Sequence, residues 1–65
     1  MRKQLITARE ERQLTRKQVA EYLGITDVAY GRIENGVRIG RVETWDKLED
    51  LFGIHQRELR KDYGD

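Results

Sequence analysis

Charged side chains carry most of the chemistry in this 65-residue sequence: thirteen are Lys or Arg and twelve are Asp or Glu. The residue types used for bond-making are scarce. There is no cysteine, hence no disulfide, zinc ribbon or thiol chemistry. The single histidine, His55, cannot build a metal site by itself. The carboxylates are scattered at helix-surface spacing and no nucleophile motif accompanies them. A chain this short also offers scarcely any cleft. The expectation is therefore a non-enzyme without metal or cofactor. What remains is charge. The net charge is only +1, but residues 1–41 hold nine Lys/Arg against five Asp/Glu, and residues 42–65 hold four against seven. A basic front and an acidic back suit a module that faces a polyanion on one side. The ordinary solvated exterior of a small domain explains the same numbers, and charge alone does not separate the two.

Those side chains need elements to hold them. The chain has room for one domain, residues 1–65, near the low end of independent folding. It has no proline, and its apolar residues recur at helical spacing, which predicts an all-α fold. A first helix covers about Arg2–Arg12, with Leu5 and Ala8 inward and Leu14 closing it. Thr15 opens a second helix to Leu23; Thr15-Arg-Lys-Gln18 fits the reciprocal capping box. Gly24 stands where a left-handed residue stops a helix, and Ile25 pins the turn into the core. Thr26 opens a third helix, residues 26–34, with Asp27 in its first turn and Asn35-Gly36 as its stop. Val37–Arg41 is a loop. A fourth helix runs from about Val42 to Phe52, with Val42, Trp45, Leu48, Leu51 and Phe52 on its buried stripe. Gly53 ends it, Ile54 docks, and Gln56–Lys61 forms a short fifth helix anchored by Leu59. Tyr63-Gly64-Asp65 reads as a frayed end. Trp45 as a stacking platform for bases is the weaker reading, since Val42 and Leu48 flank it at core spacing. No apolar run approaches the length of a membrane span, and Met1–Thr7 lacks a secretory pattern; the expected location is the cytoplasm.

Two short helices joined by the single turn Leu23-Gly24-Ile25 form a helix-turn-helix, in which the second helix is held out as a probe for the DNA major groove. The run Leu14-Thr15-x-x-x-Val19-Ala20-x-x-Leu23-Gly24-Ile25-Thr26-x-x-x-Tyr30-x-x-Ile33-Glu34-Asn35-Gly36 resembles the Cro/CI-type repressor family, also called lambda-repressor-like or XRE. Arg9, placed ahead of Thr15, and Leu48-x-x-Leu51-Phe52-Gly53-Ile54 extend the likeness from about Leu5 to Leu59. Its motifs are moderately specific singly and strongly specific together.

The resemblance implies a compact five-helix fold and a nucleoid-associated double-stranded DNA-binding regulator, a small Cro-like repressor acting as a weak homodimer formed or strengthened on DNA. It implies that Arg9 and Glu34 form a buried structural ion pair; two unrelated surface charges are the alternative. It places Asp27, Val28 and Arg32 on base edges. Arg32 suits guanine O6 and N7, Val28 a thymine methyl, and Asp27 a cytosine amine. Asp27 serves equally as a helix-dipole residue with no base contact. Phosphate contacts fall to Arg16, Lys17, Asn35, Arg38 and Arg41. Lys17 as a merely solvated residue and Asn35 as a left-handed cap remain open.

The chain departs from the family pattern at several positions. Tyr30 replaces an aliphatic residue, and its hydroxyl needs a partner. Gly31 lies mid-helix, at about 1 kcal/mol relative to alanine; it either permits close approach to DNA or loosens the probe. Gly40 and Arg41 replace the usual proline and serine before the fourth helix, which predicts a more mobile loop. Ile39 either tucks under that helix or meets a partner. A second functional reading is an antitoxin or co-regulator whose main role is binding a protein through the acidic fourth and fifth helices, Ile39 and Tyr63.

Overall fold

The computed structural model describes residues 1–61, and the expectations for Tyr63 and the residues beside it lie outside that range. Five helices follow one another: α1 Lys3–Glu11, α2 Arg16–Leu23, α3 Asp27–Glu34, α4 Val42–Phe52 and α5 Gln56–Leu59. The described residues contain no strand. α2 packs chiefly on α3, while α1 and α4 both pack on α5. The buried apolar set is Leu5, Ala8, Val19, Ala20, Leu23, Tyr30, Ile33, Trp45, Leu48, Phe52 and Leu59, with Leu14, Ile25, Leu51 and Ile54 partly buried against it.

Local chemistry sets the ends of the helices. The Thr15 hydroxyl accepts from the Gln18 backbone N–H at 3.1 Å, and the Gln18 side chain accepts from the Thr15 N–H at 2.8 Å. The Thr26 hydroxyl accepts from the Ala29 N–H at 3.0 Å. Each bond satisfies an N–H that has no partner inside its helix. Gly24 adopts φ 77° and Gly53 φ 66°, the left-handed conformation that stops α2 and α4. Arg12 finishes α4 from outside: its Nη1 and Nη2 donate to the carbonyls of Leu51 and Phe52 at 3.1 and 3.2 Å. His55 serves as a cap, its Nδ1 accepting from the Arg57 N–H at 3.1 Å.

Two expectations require correction, for Val42 and for the loop after α3, and two open alternatives are narrowed, for Ile39 and Asn35. Val42 is 70% exposed, and Thr44 takes the place expected for it on the buried stripe. At the helical advance of about 100° per residue, Val42 points about 120° away from Leu48, the centre of that stripe, whereas Thr44 lies within about 40° of it. Ile39 is 70% exposed and does not tuck under α4. Asn35 keeps right-handed φ −79°, and Gly36, at φ 82°, makes the left-handed turn after α3. The loop after α3 is tied rather than loose. The Val37 and Arg38 N–H groups donate to the Arg32 carbonyl, and Trp45 Nε1 donates to the Ile39 carbonyl at 2.6 Å. Gly40 has φ 84°, which proline cannot adopt, and a Cβ there would come within 3.2 Å of Ile33 Cδ1. The glycine therefore allows the loop to lie against Ile33 and Trp45.

Among the described residues, Gln13, which follows α1, is the one non-glycine residue with positive φ, at 57°. It stands where helices commonly place glycine. Gln13→Gly is expected to raise stability by about 0.5–1 kcal/mol, because the left-handed strain disappears. Chemical denaturation of the two proteins at equal slope checks this; an unchanged or lower midpoint would contradict it.

Candidate nucleic-acid interface

α3 divides into two faces. Tyr30, Ile33 and Glu34 are buried, while Asp27, Val28, Arg32 and Asn35 are exposed. Val28, Arg32 and Asn35 follow one another at i, i+4 and i+7, a single outward stripe. Asp27 stands at the margin of that stripe, one turn before Gly31. Arg16, the first residue of α2, comes alongside. Arg16, Asp27, Val28, Gly31, Arg32 and Asn35 together line one shallow hollow. The other cations expected at phosphates lie apart from it. Lys17 borders a depression around the α2–α3 turn with Glu21 and Thr26. Arg38 and Arg41 border a cleft between that turn and the start of α4, where Lys47 joins them. The exposed face of α3 thus borders one hollow with Arg16, while Lys17, Arg38 and Arg41 border two others.

The family model described as Helix-turn-helix matches residues 5–61. The chain belongs to the Cro/CI-type helix-turn-helix family. It is a family of DNA-binding transcriptional regulators, not of enzymes. No curated protein and no solved structure matches the chain. Among the described residues, this helix-turn-helix protein has no helix long and apolar enough to cross a membrane, and no group of three metal-ligating side chains.

The angle at which a helix-turn-helix presents its probe helix depends on what ties that helix to its neighbours. Here the tie is Glu34, the last residue of α3, whose side chain is fully buried. Its Oε2 accepts from Arg9 Nε at 2.6 Å, and its Oε1 accepts from Arg9 Nη2 at 3.4 Å. Arg16 Nε donates to the same Oε1 at 3.1 Å. One carboxylate therefore joins α1, α2 and α3. Arg9 also donates from Nη1 to the Leu14 carbonyl at 2.9 Å, so it holds the α1–α2 connection as well. The hydrogen bond to Glu34 raises the pKa of Arg9 above its ordinary value, with burial opposing.

Tyr30 lies beside this cluster. Its hydroxyl is buried and makes no well-formed hydrogen bond. The pKa of the phenol is raised well above its ordinary value, chiefly by burial, with the proximity of Glu34 acting in the same direction. The ring is fully buried in the core, and the oxygen is carried in with it.

Sequence reasoning missed Arg2, which is only 6% exposed. Its backbone N–H donates to the Glu34 carbonyl at 2.8 Å, and its Nη1 donates to the carbonyls of Ile33 and Arg38, the latter at 2.8 Å. Its Nε donates to the Arg60 carbonyl at 3.1 Å, and its guanidinium sits 5.4 Å from the Trp45 ring centroid. Arg2 thus fastens the end of α3, the loop carrying Arg38 and Arg41, and α5. An arginine beside Lys3 at the head of a helix reads as solvated, and nothing local signals otherwise.

Two predictions follow from the Glu34 cluster. Glu34→Ala leaves Arg9 buried without its partner and is expected to cost about 3–5 kcal/mol. That approaches the whole stability of a domain this size, roughly 0.05–0.15 kcal/mol per residue. Arg16→Ala leaves the Arg9 pair intact and removes a half-exposed partner, so its cost should stay under about 1 kcal/mol. Denaturant titration of both variants checks the order; equal losses would contradict it. For Tyr30, the unfolded phenol ionises near pH 10 while the folded one resists. Above that pH the unfolded state binds fewer protons, so stability is fully present below about pH 10 and falls as pH rises further. Tyr30→Phe should reduce this alkaline loss and, at neutral pH, raise stability by up to about 1 kcal/mol. Melting curves from pH 7 to 11 measure both effects; an alkaline decline as steep as that of the original protein would refute the assignment.

Proposed function

We propose that this chain is a sequence-specific repressor that inserts α3 into the major groove of double-stranded DNA. Asp27, Val28 and Arg32 face base edges. Arg32 spans guanine O6 and N7, Val28 packs on a thymine methyl, and Asp27 accepts from a cytosine amine. Arg16, Lys17, Asn35, Arg38 and Arg41 bind phosphates around the groove and set the register of the helix on the duplex. Repression follows from occupying a promoter, and two copies bind half-sites about one helical turn apart, pairing weakly in solution and more firmly on DNA. The observation that carries this reading is the outward stripe of α3: its exposed residues are those of the hollow beside Arg16, while its other face is buried against the domain.

The second reading is a co-regulator that chiefly binds a protein. The exposed apolar side chains Val37, Ile39 and Val42 favour it, since they stand close together in sequence around the α4 N-terminus.

A salt titration of duplex binding separates the two readings. The repressor reading requires log affinity to fall steeply and linearly with log salt, by about 0.9 per phosphate engaged. A flat response would rule it out. Selection of bound sites from random duplexes should then return a twofold-symmetric sequence containing a guanine in each half-site. Arg32→Ala should relax that one position, at about 1–3 kcal/mol, and leave the rest of the site unchanged. A uniform loss across all sequences would remove Arg32 from base readout.

A further inference from the structure

Gly31 is costly in the middle of a helix, and the fold has not replaced it. Unlike Gly24 and Gly53, it does not need a left-handed conformation. What the position contributes is therefore a side chain small enough to leave room beside Arg16. A Cβ built there would meet a single neighbour within 4 Å, Arg16 Nη1 at 3.9 Å. The Arg16 guanidinium thus lies over bare backbone, between the start of α2 and the middle of α3.

Arg16 is held in that place from below. Its Nε donates to Glu34 Oε1 at 3.1 Å, and Glu34 is fully buried, so the anchor does not move with solvent. Among the described residues, no hydrogen bond engages Nη1 or Nη2 of Arg16, and the side chain is half exposed. A guanidinium tied through Nε presents its Nη edge outward, and that edge matches two oxygens of a phosphate. The charge is also available. Glu34 carries one negative charge and faces two guanidiniums, Arg9 and Arg16, so one positive charge of the cluster stays uncompensated at the outer, exposed member.

We propose that Gly31 is a positioning residue whose empty side-chain position seats the Arg16 guanidinium, so that Arg16, anchored on Glu34, offers a pre-oriented Nη edge to a DNA phosphate. This rests on the DNA-binding reading above. The seat accepts a methyl group, because 3.9 Å is ordinary van der Waals contact, but not a branched or long side chain. Gly31 then acts on DNA through Arg16 and not through its own contact with the groove. Fixing the guanidinium in advance lowers the ordering cost of binding.

The test has two arms. In the free protein, the Nε–H resonances of Arg9 and Arg16 should both exchange slowly in the original sequence and in Gly31→Ala. In Gly31→Leu only that of Arg16 should become fast, and the retained Arg9 signal reports that the variant is folded. In duplex binding, Arg16→Ala and Gly31→Leu should each lower the salt slope by about one without changing sequence preference, and the double variant should match Arg16→Ala alone. Arg16→Lys keeps the charge but not the fork, and should keep the slope while losing about tenfold in affinity. A fast Arg16 Nε–H in the original protein overturns the seating. A further loss when Gly31→Leu is added to Arg16→Ala would show that Gly31 acts by direct clash with DNA. An altered base preference in Arg16→Ala would show that the edge reads a base. If the original protein shows no salt-dependent duplex binding, the DNA reading and the phosphate role fall together, while the exchange arm still decides the seating.

Discussion

A carboxylate taken out of water must be surrounded by donors, and in this protein that requirement organises the domain. Glu34 closes α3 with no exposed surface. Its two oxygens are met by Arg9 from α1 and Arg16 from α2. Three helices thereby have a common point that tolerates little error, because a buried charge with a missing or displaced partner is strongly unfavourable. An apolar contact of the same size would stabilise as much or more, yet it would fix direction less tightly. A hydrogen-bonded ion triad sets distances and angles, and α3 is the helix whose outward face is exposed. The Tyr30 hydroxyl beside the cluster is buried without a well-formed hydrogen bond, a local cost that comes with a fully buried ring.

The same economy appears in the loop after α3. Arg38 and Arg41 are exposed, but the backbone that carries them is held by Trp45 Nε1 and Arg2 Nη1. Gly40 permits the close packing that makes those bonds possible. The loop is therefore a shaped ridge whose charged side chains project from a fixed main chain. Exposed side chains on fixed backbone suit recognition of a rigid polyanion, since little order has to be created on contact.

Much of this was legible in the sequence because it is written locally. Thr15 with Gln18, Thr26, Gly24 and Gly53 each act within a few residues of themselves, so capping and stopping rules locate α2, α3 and α4 closely. The apolar stripes of α1 and α2 are likewise set by helical period. What periodicity could not resolve was the rotation of α4: Thr44 lies on the true stripe and Val42 off it, and a preference for apolar residues selects the wrong one. The candidate surface was legible to a different degree. Asp27, Val28 and Arg32 project from α3 for reasons of period. That Arg16 reaches Glu34 and lies over Gly31 depends on how α2 crosses α3. Arg2 was invisible, because its partners are carbonyls 31 to 58 residues away and carbonyls carry no sequence signature.

Arg2 has a consequence for how the chain reaches its native state. One of its hydrogen-bond acceptors is the carbonyl of Arg60, 58 residues further along the chain. The packing of α2 on α3 and of α4 on α5 joins elements adjacent in sequence, contacts that form early and cheaply. The bonds of Arg2 close a loop spanning nearly the whole described chain and become favourable only after the rest has condensed. On that separation, Arg2 works as a latch that closes after the local contacts. Until it closes, the end of α3 and the loop behind it lack their fastening, so the helices can be formed before those two segments take their final arrangement.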